Sequence, residues 1–382
     1  MSILIKNGQV FDVNKGFHVE KDILVSGSKI KTFEKGISPS EGTTVINAEN
    51  KIVFPGFIDA HSHLGMWTNT QNGNDANECV SPITPLMRAI DGANPRDKCF
   101  EDAVKAGFTT IMITPGSGNA LGGQAAIIKT WGKTISEMTV DSYAALKVAF
   151  GENPKNVYGS IGKSPSSRMS TFSILEEEFE KAMLYRERKS ADETIVDFYW
   201  DTYLPLLEGK IPLKIHAHRS DDILSGIRLA ERFNLKYTLD HCTEGHLIIE
   251  ELSSRKVPIM TGPPLMFKSK QELKNATIDT SRILTENGCL VSLTSDHPFS
   301  NISYLAVAAG LMVKEGMEYS DAVKMLTINP AMAIGLADKL GSIEEGKNAD
   351  IVIYDGDPLE IRTNTETTII GGEIVYRRNS TN

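Results

Sequence analysis

Cysteine is scarce in this chain. Cys79, Cys99, Cys242 and Cys289 are scattered over 382 residues with no Cys-x-x-Cys pair, which fits reduced thiols in a cytosol better than a disulfide framework. Long apolar runs are missing too. The run from Ile3 to Ile5 stops at Lys6, far short of a signal-peptide core, and nothing approaches the roughly 18 uncharged apolar residues of a membrane span. The expectation is a soluble protein in the cytoplasm. Positive charge is in deficit: 40 Lys and Arg against 49 Asp and Glu give a formal charge of −9, which argues against non-specific binding to nucleic acid or an anionic membrane. No solenoid-period repeat and no low-complexity segment is present. What remains is ordinary globular material, with 41% hydrophobic and 23% charged residues, enough for a core of normal size.

The two ends share one texture. Short β-like runs alternate with turn signals: Ile3 to Ile5 before Asn7-Gly8, Asp22 to Val25 before Gly27-Ser28, Ile30 to Phe33, Thr43 to Ile46, and Lys51 to Phe54 before Pro55-Gly56. Asn7-Gly8 reads as a hairpin turn. The C-terminus repeats the pattern in Ala349 to Tyr354, Thr367 to Ile370 and Glu373 to Tyr376. Neither end has enough apolar residues to fold alone, so residues 1–55 and 338–382 are expected to form one composite β-sandwich domain.

Between them the period changes. Eight β-like runs (Gly56 to Ala60, Thr109 to Thr114, Ala125 to Thr130, Ala144 to Phe150, Pro212 to Ala217, Lys236 to Leu239, Val257 to Thr261, Leu290 to Thr294) alternate with helical runs such as Phe172 to Lys189, Glu193 to Leu207 and Asp221 to Phe233. Alternation of this kind signals βαβ units and a parallel sheet. Eight runs predict an α/β fold, a closed (β/α)₈ TIM barrel over residues 56–337, with the third strand the weakest.

Six of the eight histidines fall at or just after the predicted C-terminal ends of barrel strands, the face on which such barrels build active sites. Phe57-Ile58-Asp59-Ala60-His61-Ser62-His63 closes the first strand, and alternation sends His61 and His63 the same way, towards the mouth. His216 and His218 repeat the spacing on the fifth strand, His241 ends the sixth, and Asp296 follows the eighth. Alone, Asp296 would read as a helix N-cap; with four inward histidines nearby it reads as a ligand. Lys147 is a cation inside an apolar strand and must be paired, neutralised or modified. Glu152 follows in Gly151-Glu152-Asn153-Pro154. The glycine-rich stretch Thr114 to Gly123 lacks the Gly-Lys-Ser/Thr ending of a phosphate loop and reads as an active-site loop. Cys242 points away from His241 and reads as buried filler, while His246 and His18 lie outside the expected site.

These residues, with Asn7 to Asp12, Thr327-Ile328-Asn329-Pro330-Ala331, Gly341 to Val352 and Gly371 to Tyr376, resemble the amidohydrolase superfamily along essentially the whole chain. His216-Ala217-His218 and Ser295-Asp296-His297-Pro298 look most like its imidazolonepropionase- and prolidase-related branch. The resemblance implies a hydrolase acting on carbon–nitrogen bonds in a cyclic amide or small peptide-like substrate. His61, His63, His216 and His241 would bind divalent metal, most readily zinc, with Asp296 as metal ligand and proton acceptor. The metal would lower the pKa of a bound water from 15.7 to about 7 and so supply hydroxide. His218 and His297 are candidate donors to the scissile carbonyl. One or two ions are implied. A second would need a bridging ligand, for which a carboxylated Lys147 or Glu152 are the alternatives, and neither is also possible. The partner would be a small molecule, and a homo-oligomer is compatible with the sequence. A deaminase of heterocyclic amines is the alternative reading, although many such deaminases carry Glu where this chain has Arg219. A non-catalytic barrel would be expected to have lost ligands.

Overall fold

A computed structural model describes residues 2–68 and 73–379. Eight strands form one nearly closed sheet in chain order: Phe57–Ser62, Phe108–Ile113, Leu121–Lys129, Thr139–Ala149, Leu213–Ala217, Tyr237–His241, Pro258–Thr261 and Leu290–Leu293. The seam between the first and eighth strands is closed by side chains. The Asp59 carboxylate accepts from Ser295 N at 3.0 Å and Ser295 Oγ at 2.6 Å, and the Thr294 hydroxyl donates to the His61 carbonyl.

The barrel departs from the expected (β/α)₈ pattern at its third strand. Leu121–Lys129 runs antiparallel to both neighbours, whereas the first-to-second contact and every contact from the fourth strand to the eighth is parallel. Connection length explains this. Only residues 114–120 separate the second and third strands, and a parallel crossover needs a dozen residues or more. The run Glu193 to Leu207 also differs from expectation, because only Phe198–Asp201 and Leu204–Leu207 are helical. The β-branched sequence Thr194-Ile195-Val196 lowers helix propensity, and Pro205 fits only a helix start. Arg168–Ala191 begins with a capping box in which Ser167 and Ser170 satisfy each other's backbone donors.

Strands from both chain ends meet in one of two further sheets. A six-stranded sheet has the order Glu373–Arg377, Thr365–Ile370, Ile351–Tyr354, Ile52–Pro55, Gln9–Asp12, Phe17–Glu20. In it Ile351 to Tyr354 pair antiparallel with Pro55 to Ile52. A four-stranded sheet holds Lys29–Glu34, Asp22–Ser26, Ser2–Lys6 and Thr43–Asn47. Asn7-Gly8 therefore makes no hairpin: Ser2–Lys6 and Gln9–Asp12 lie in different sheets, and the turn, with Asn7 at φ 63°, carries the chain from one to the other. Gly8 is needed there because a Cβ would sit 2.8 Å from the Val53 side chain. The two sheets enclose an aliphatic cluster that includes Ile3, Ile5, Val10, Ile23, Val53, Ile351 and Ile369. On the other side, Phe54 and Tyr354 pack with Phe57 and Phe108 in the barrel's cluster.

Candidate metal centre

The mouth is built on strand ends whose backbone has left regular β geometry. On the sixth strand Thr238 lines the lower interior with Ala60 and Lys214, and Asp240, two residues on, contacts Lys214. Alternation would then turn His241 outward. Instead His241 takes a left-handed conformation at φ 70°, followed by Cys242 at φ 44°, and its ring swings in to lie 5.0 Å from that of His61 and 4.6 Å from those of His216 and His218. Asp296 is also left-handed, at φ 48°. Such conformations cost on the order of 1–3 kcal/mol each and persist only where the surroundings enforce them. The first strand uses another device. Ala60 faces the interior, and a register irregularity between Asp59 and Ser62 lets His61 reach the same space.

Two groups of potential ligand atoms result, each within 4.8 Å of one another: His61, His63 and Asp296, and His216, His218 and His241. Asp296 Oδ1 lies 3.1 Å from His61 Nε2 and 3.2 Å from His63 Nε2. The His61–His241 contact joins the groups, so the five residues singled out as ligands, with His218 added, line one continuous buried space. His297 belongs to neither group. It is buried, and its carbonyl accepts from His63 N. Lys147 and Glu152 are also outside both groups. The Lys147 amine contacts Asp240, while Glu152 opens the helix Glu152–Ser160, where its backbone N–H donates to Glu272 at 2.9 Å.

Tautomers follow from the outer partners. His63 Nδ1 lies 2.7 Å from the Thr114 carbonyl and His241 Nδ1 lies 2.8 Å from the Gly262 carbonyl. A carbonyl can only accept, so Nδ1 carries a proton in both rings, and Nε2 is the nitrogen left for the site. His218 Nδ1 makes a similar 2.8 Å contact with the Thr243 hydroxyl. Burial, reinforced by the neighbouring rings and the Lys270 and Lys147 cations, pushes His216 and His218 well below the usual imidazole range. Burial also takes His241 down to about 3 against the opposing pull of Asp296. For Asp296 burial acts upward, but the His241, His61 and His63 rings outweigh it and hold the carboxyl well below its ordinary value. Buried imidazoles beside an ionised carboxylate are a donor set suited to a divalent cation.

Below the histidines lies a layer that reading the sequence missed. Asp240 is fully buried; it accepts from Lys147 and, at 2.7 Å, from Lys214, and lies 3.0 Å from His61 Nδ1. Lys214 also donates to the Ala60 carbonyl at 3.0 Å. Burial raises the Asp240 carboxyl, and His61, Lys147 and Lys214 together outweigh it, so it stays ionised. Lys147 is pushed down to about 8 by burial, with Asp240 opposing. The available signal was two lysines and an aspartate in adjacent apolar strands, since a buried charge needs a partner. Cys242 sits in the apolar cluster, His246 contacts Thr280, and His18 packs on Phe11 and Phe54.

A pocket of about 210 Å³ opens beside His241, lined on its apolar side by Pro263, Pro264, Met266, Leu273, Ile278 and Met312. No helix among the described residues is long and apolar enough to cross a membrane.

Residues 208–375 match the Amidohydrolase family. A solved amidohydrolase from Thermotoga maritima MSB8 is 38% identical, with a TM-score of 0.95 over 98% of this chain and 100% of that one. The amidohydrolase tasK of Hapsidospora irregularis is 28% identical over 374 residues, which is 89% of this chain and 38% of that protein. The imidazolonepropionase of Thermoplasma volcanium is 26% identical over 384 residues, covering 93% of this chain and 90% of that protein. The chain thus spans under half the length of the first of these curated relatives and nearly all of the second.

Proposed function

From the premise that this chain belongs to the amidohydrolase family, we propose that it hydrolyses a carbon–nitrogen bond in a cyclic amide or small peptide-like molecule. The observation that carries this reading is the pair of ligand groups joined through His61 and His241, with Asp296 contacting both His61 and His63. His61, His63, His216, His241 and Asp296 would hold a divalent cation, and zinc suits a donor set of imidazole and carboxylate. Bound there, the cation would supply Lewis acidity to a water and to the scissile carbonyl.

The remaining steps belong to the protein. Asp296, kept ionised by its imidazole neighbours, accepts the proton of the attacking water and returns it to the leaving nitrogen. His218, second on the fifth-strand pair, is the candidate donor to the carbonyl oxygen, since the Thr243 hydroxyl can donate to its Nδ1 and leave the ring proton on Nε2. His297, buried behind His63 with no partner on Nδ1, is the less direct candidate. Lys147 is a better candidate bridge than Glu152, because its amine lies among His61 and Asp240. Depression to about 8 leaves part of the amine unprotonated near neutral pH, the form that adds CO₂ to give a carbamate and a proton. Residues 1–55 and 338–382 are read as one unit supporting a barrel of residues 56–337, on the support of the Ile351–Tyr354 strand lying against Ile52–Pro55.

The test is metal analysis of the purified protein, followed by a screen against cyclic amides, N-acyl amino acids and dipeptides. Turnover abolished by chelation and restored by zinc is expected. Release of ammonia from heterocyclic amines, with every amide untouched, would replace this reading with the deaminase. The mass of the intact chain reports carboxylation of Lys147 independently.

A further inference from the structure

The glycine-rich loop after the second strand is not used by the hydrolytic machinery, yet it reaches the mouth. Ser117 Oγ accepts from Asn153 Nδ2 at 2.7 Å. Asn153, from the start of the helix after the fourth strand, places the same nitrogen 3.4 Å from His216 Nε2. Its carbonyl oxygen accepts from Lys270 Nζ at 3.1 Å. Three loops, following the second, fourth and seventh strands, are thus linked across one side of the mouth through Ser117, Asn153 and Lys270.

Lys270 is the one cation in this linkage, and its position is enforced. Its amine lies 2.5 Å from Glu272 Oε1, on a side chain with no exposure, while the lysine side chain keeps 25% of its surface. Glu272 is fixed in turn, since its other oxygen takes the Glu152 N–H. That approach requires Gly151, at φ 91°, where a Cβ would lie 2.7 Å from Glu272 Oε2. Glu272 Oε1 is also 3.7 Å from His218 Nε2, so the lysine stands beside the second histidine group. An ammonium has three N–H donors. Asn153 takes one of them and Glu272 lies alongside as the counter-ion, so the partly exposed ammonium keeps donor capacity, and Ser117 keeps its own hydroxyl hydrogen because its oxygen is the acceptor from Asn153. Two free donors, one of them charged, therefore flank His216 and His218 in a protein whose net charge is negative.

We propose that Lys270 and Ser117, held by Asn153 and Glu272, bind a carboxylate on the substrate and make this enzyme selective for amides that carry one near the scissile bond. The proposal rests on the amide-hydrolase reading and refines it. Lys270 supplies the charge, Ser117 a second hydrogen bond, and Glu272 is a positioning residue that keeps the ammonium from folding back into solvent. A charge-assisted hydrogen bond contributes roughly 1.5–3 kcal/mol, a factor of about 10–100 in affinity.

The probes are matched pairs: N-acetyl amino acids and their C-terminal carboxamides, with the zinc-loaded full chain. Binding is read by calorimetry and any turnover by product release. The acid of each pair should bind about 10-fold or more tightly than its amide. Lys270→Gln should remove that preference by weakening the acids alone, and Lys270→Arg should restore much of it. Lys270→Gln leaves Glu272 buried without its counter-ion and can fail to fold. Ser117→Ala leaves that pair intact and should weaken the acids by about tenfold, the loss of one hydrogen bond to a carboxylate. Equal binding of acids and amides to the wild-type chain overturns the proposal, as does a preference that survives both Lys270→Gln and Ser117→Ala, which would assign the carboxylate to the metal. If the acids bind through Lys270 while no amide bond in any probe or in the wider screen is cleaved, the hydrolase reading fails and the carboxylate site stands.

Discussion

Between the sheets built from the chain ends, the buried side chains are aliphatic: Ile3, Ile5, Val10, Ile23, Val25, Val53, Ile351, Ile353 and Ile369. At the barrel mouth an equally buried shell holds His61, His63, Lys147, Lys214, His216, His218, Asp240, His241 and Asp296. The first region gains stability from removing apolar surface from water, at about 25 cal/mol per Å², and each residue contributes largely by itself. The second contains groups whose burial is unfavourable one at a time and tolerable only as a matched set. One region should therefore respond to substitution through stability alone. The other should respond through chemistry, through coupled electrostatics and through pH.

The largest effect expected is from removing residues 338–382. This deletes Ile351–Tyr354 from the middle of the six-stranded sheet and bares Phe54 and Phe57, against which Tyr354 packs. The product should be insoluble, and a soluble truncation with a cooperative melt would show that the barrel does not depend on the shared sheet. Next is Asp296→Asn, for which turnover should fall by about 10²–10⁴-fold while much of the metal is kept, because the amide still coordinates weakly but accepts no proton. Activity within about threefold of the wild type would remove Asp296 from proton transfer.

Third, Asp240→Ala strands Lys147 and Lys214 and should cost roughly 3–5 kcal/mol in denaturant unfolding. Ile351→Ala should cost a similar 2–5 kcal/mol. The two should differ in rescue. Adding Lys147→Met to Asp240→Ala should recover part of the loss, while no second substitution at a charged site should repair Ile351→Ala. Additive behaviour of the Lys147 and Asp240 changes would mean that the mouth is not coupled as described.

The smallest effect is on acid stability after chelation. His241 and His297 are held at about 3 and about 4 against 6.5 in an unfolded chain. The unfolded state therefore takes up protons first as pH falls, and stability that is complete above pH 6.5 is lost towards pH 4. Each such histidine contributes a slope of at most about 1.4 kcal/mol per pH unit. The aliphatic side chains between the end sheets contribute none, while His18 on the strand Phe17–Glu20, lowered by burial, adds to the slope. A metal-free protein with a flat melting temperature across that window would contradict the burial of neutral imidazoles.

Most of the architecture was readable from period alone. All eight barrel runs are strands, and strands from both ends meet in the six-stranded sheet. What escaped had particular physical causes. The direction of the third strand was set by the seven residues of its connection and not by its own composition. Asn7-Gly8 has hairpin chemistry, but the partner strands that would have completed a hairpin were claimed by different sheets. At the site, His61, His63, His216, His241 and Asp296 were singled out because they recur at strand ends, and the structure brings them together. The same alternation argument would have turned His241 outward, and only its left-handed backbone corrects this. Asp240 was hidden beside a histidine, although Lys147 and Lys214 in neighbouring strands called for an anion. Glu272 and Lys270 lie in a connection with no periodic pattern, and nothing local marked them as part of the mouth.

The reversed third strand bears on how the molecule is assembled in time. The second, third and fourth barrel strands form a meander whose pairings, such as Ile127 with Met112 and Ala125 with Ala145, close loops of a few tens of residues or fewer. Ile351 must instead find Pro55 across nearly the whole chain. Short loops close with less entropy lost and on faster timescales. The meander is therefore placed to form early and to serve as a template for the parallel strands on either side. Amide hydrogens of Ala125 to Ile128 should gain protection in pulse-labelled refolding before those of Ile351 to Tyr354, so that the barrel wall beside the mouth exists before the sheet that joins the two ends.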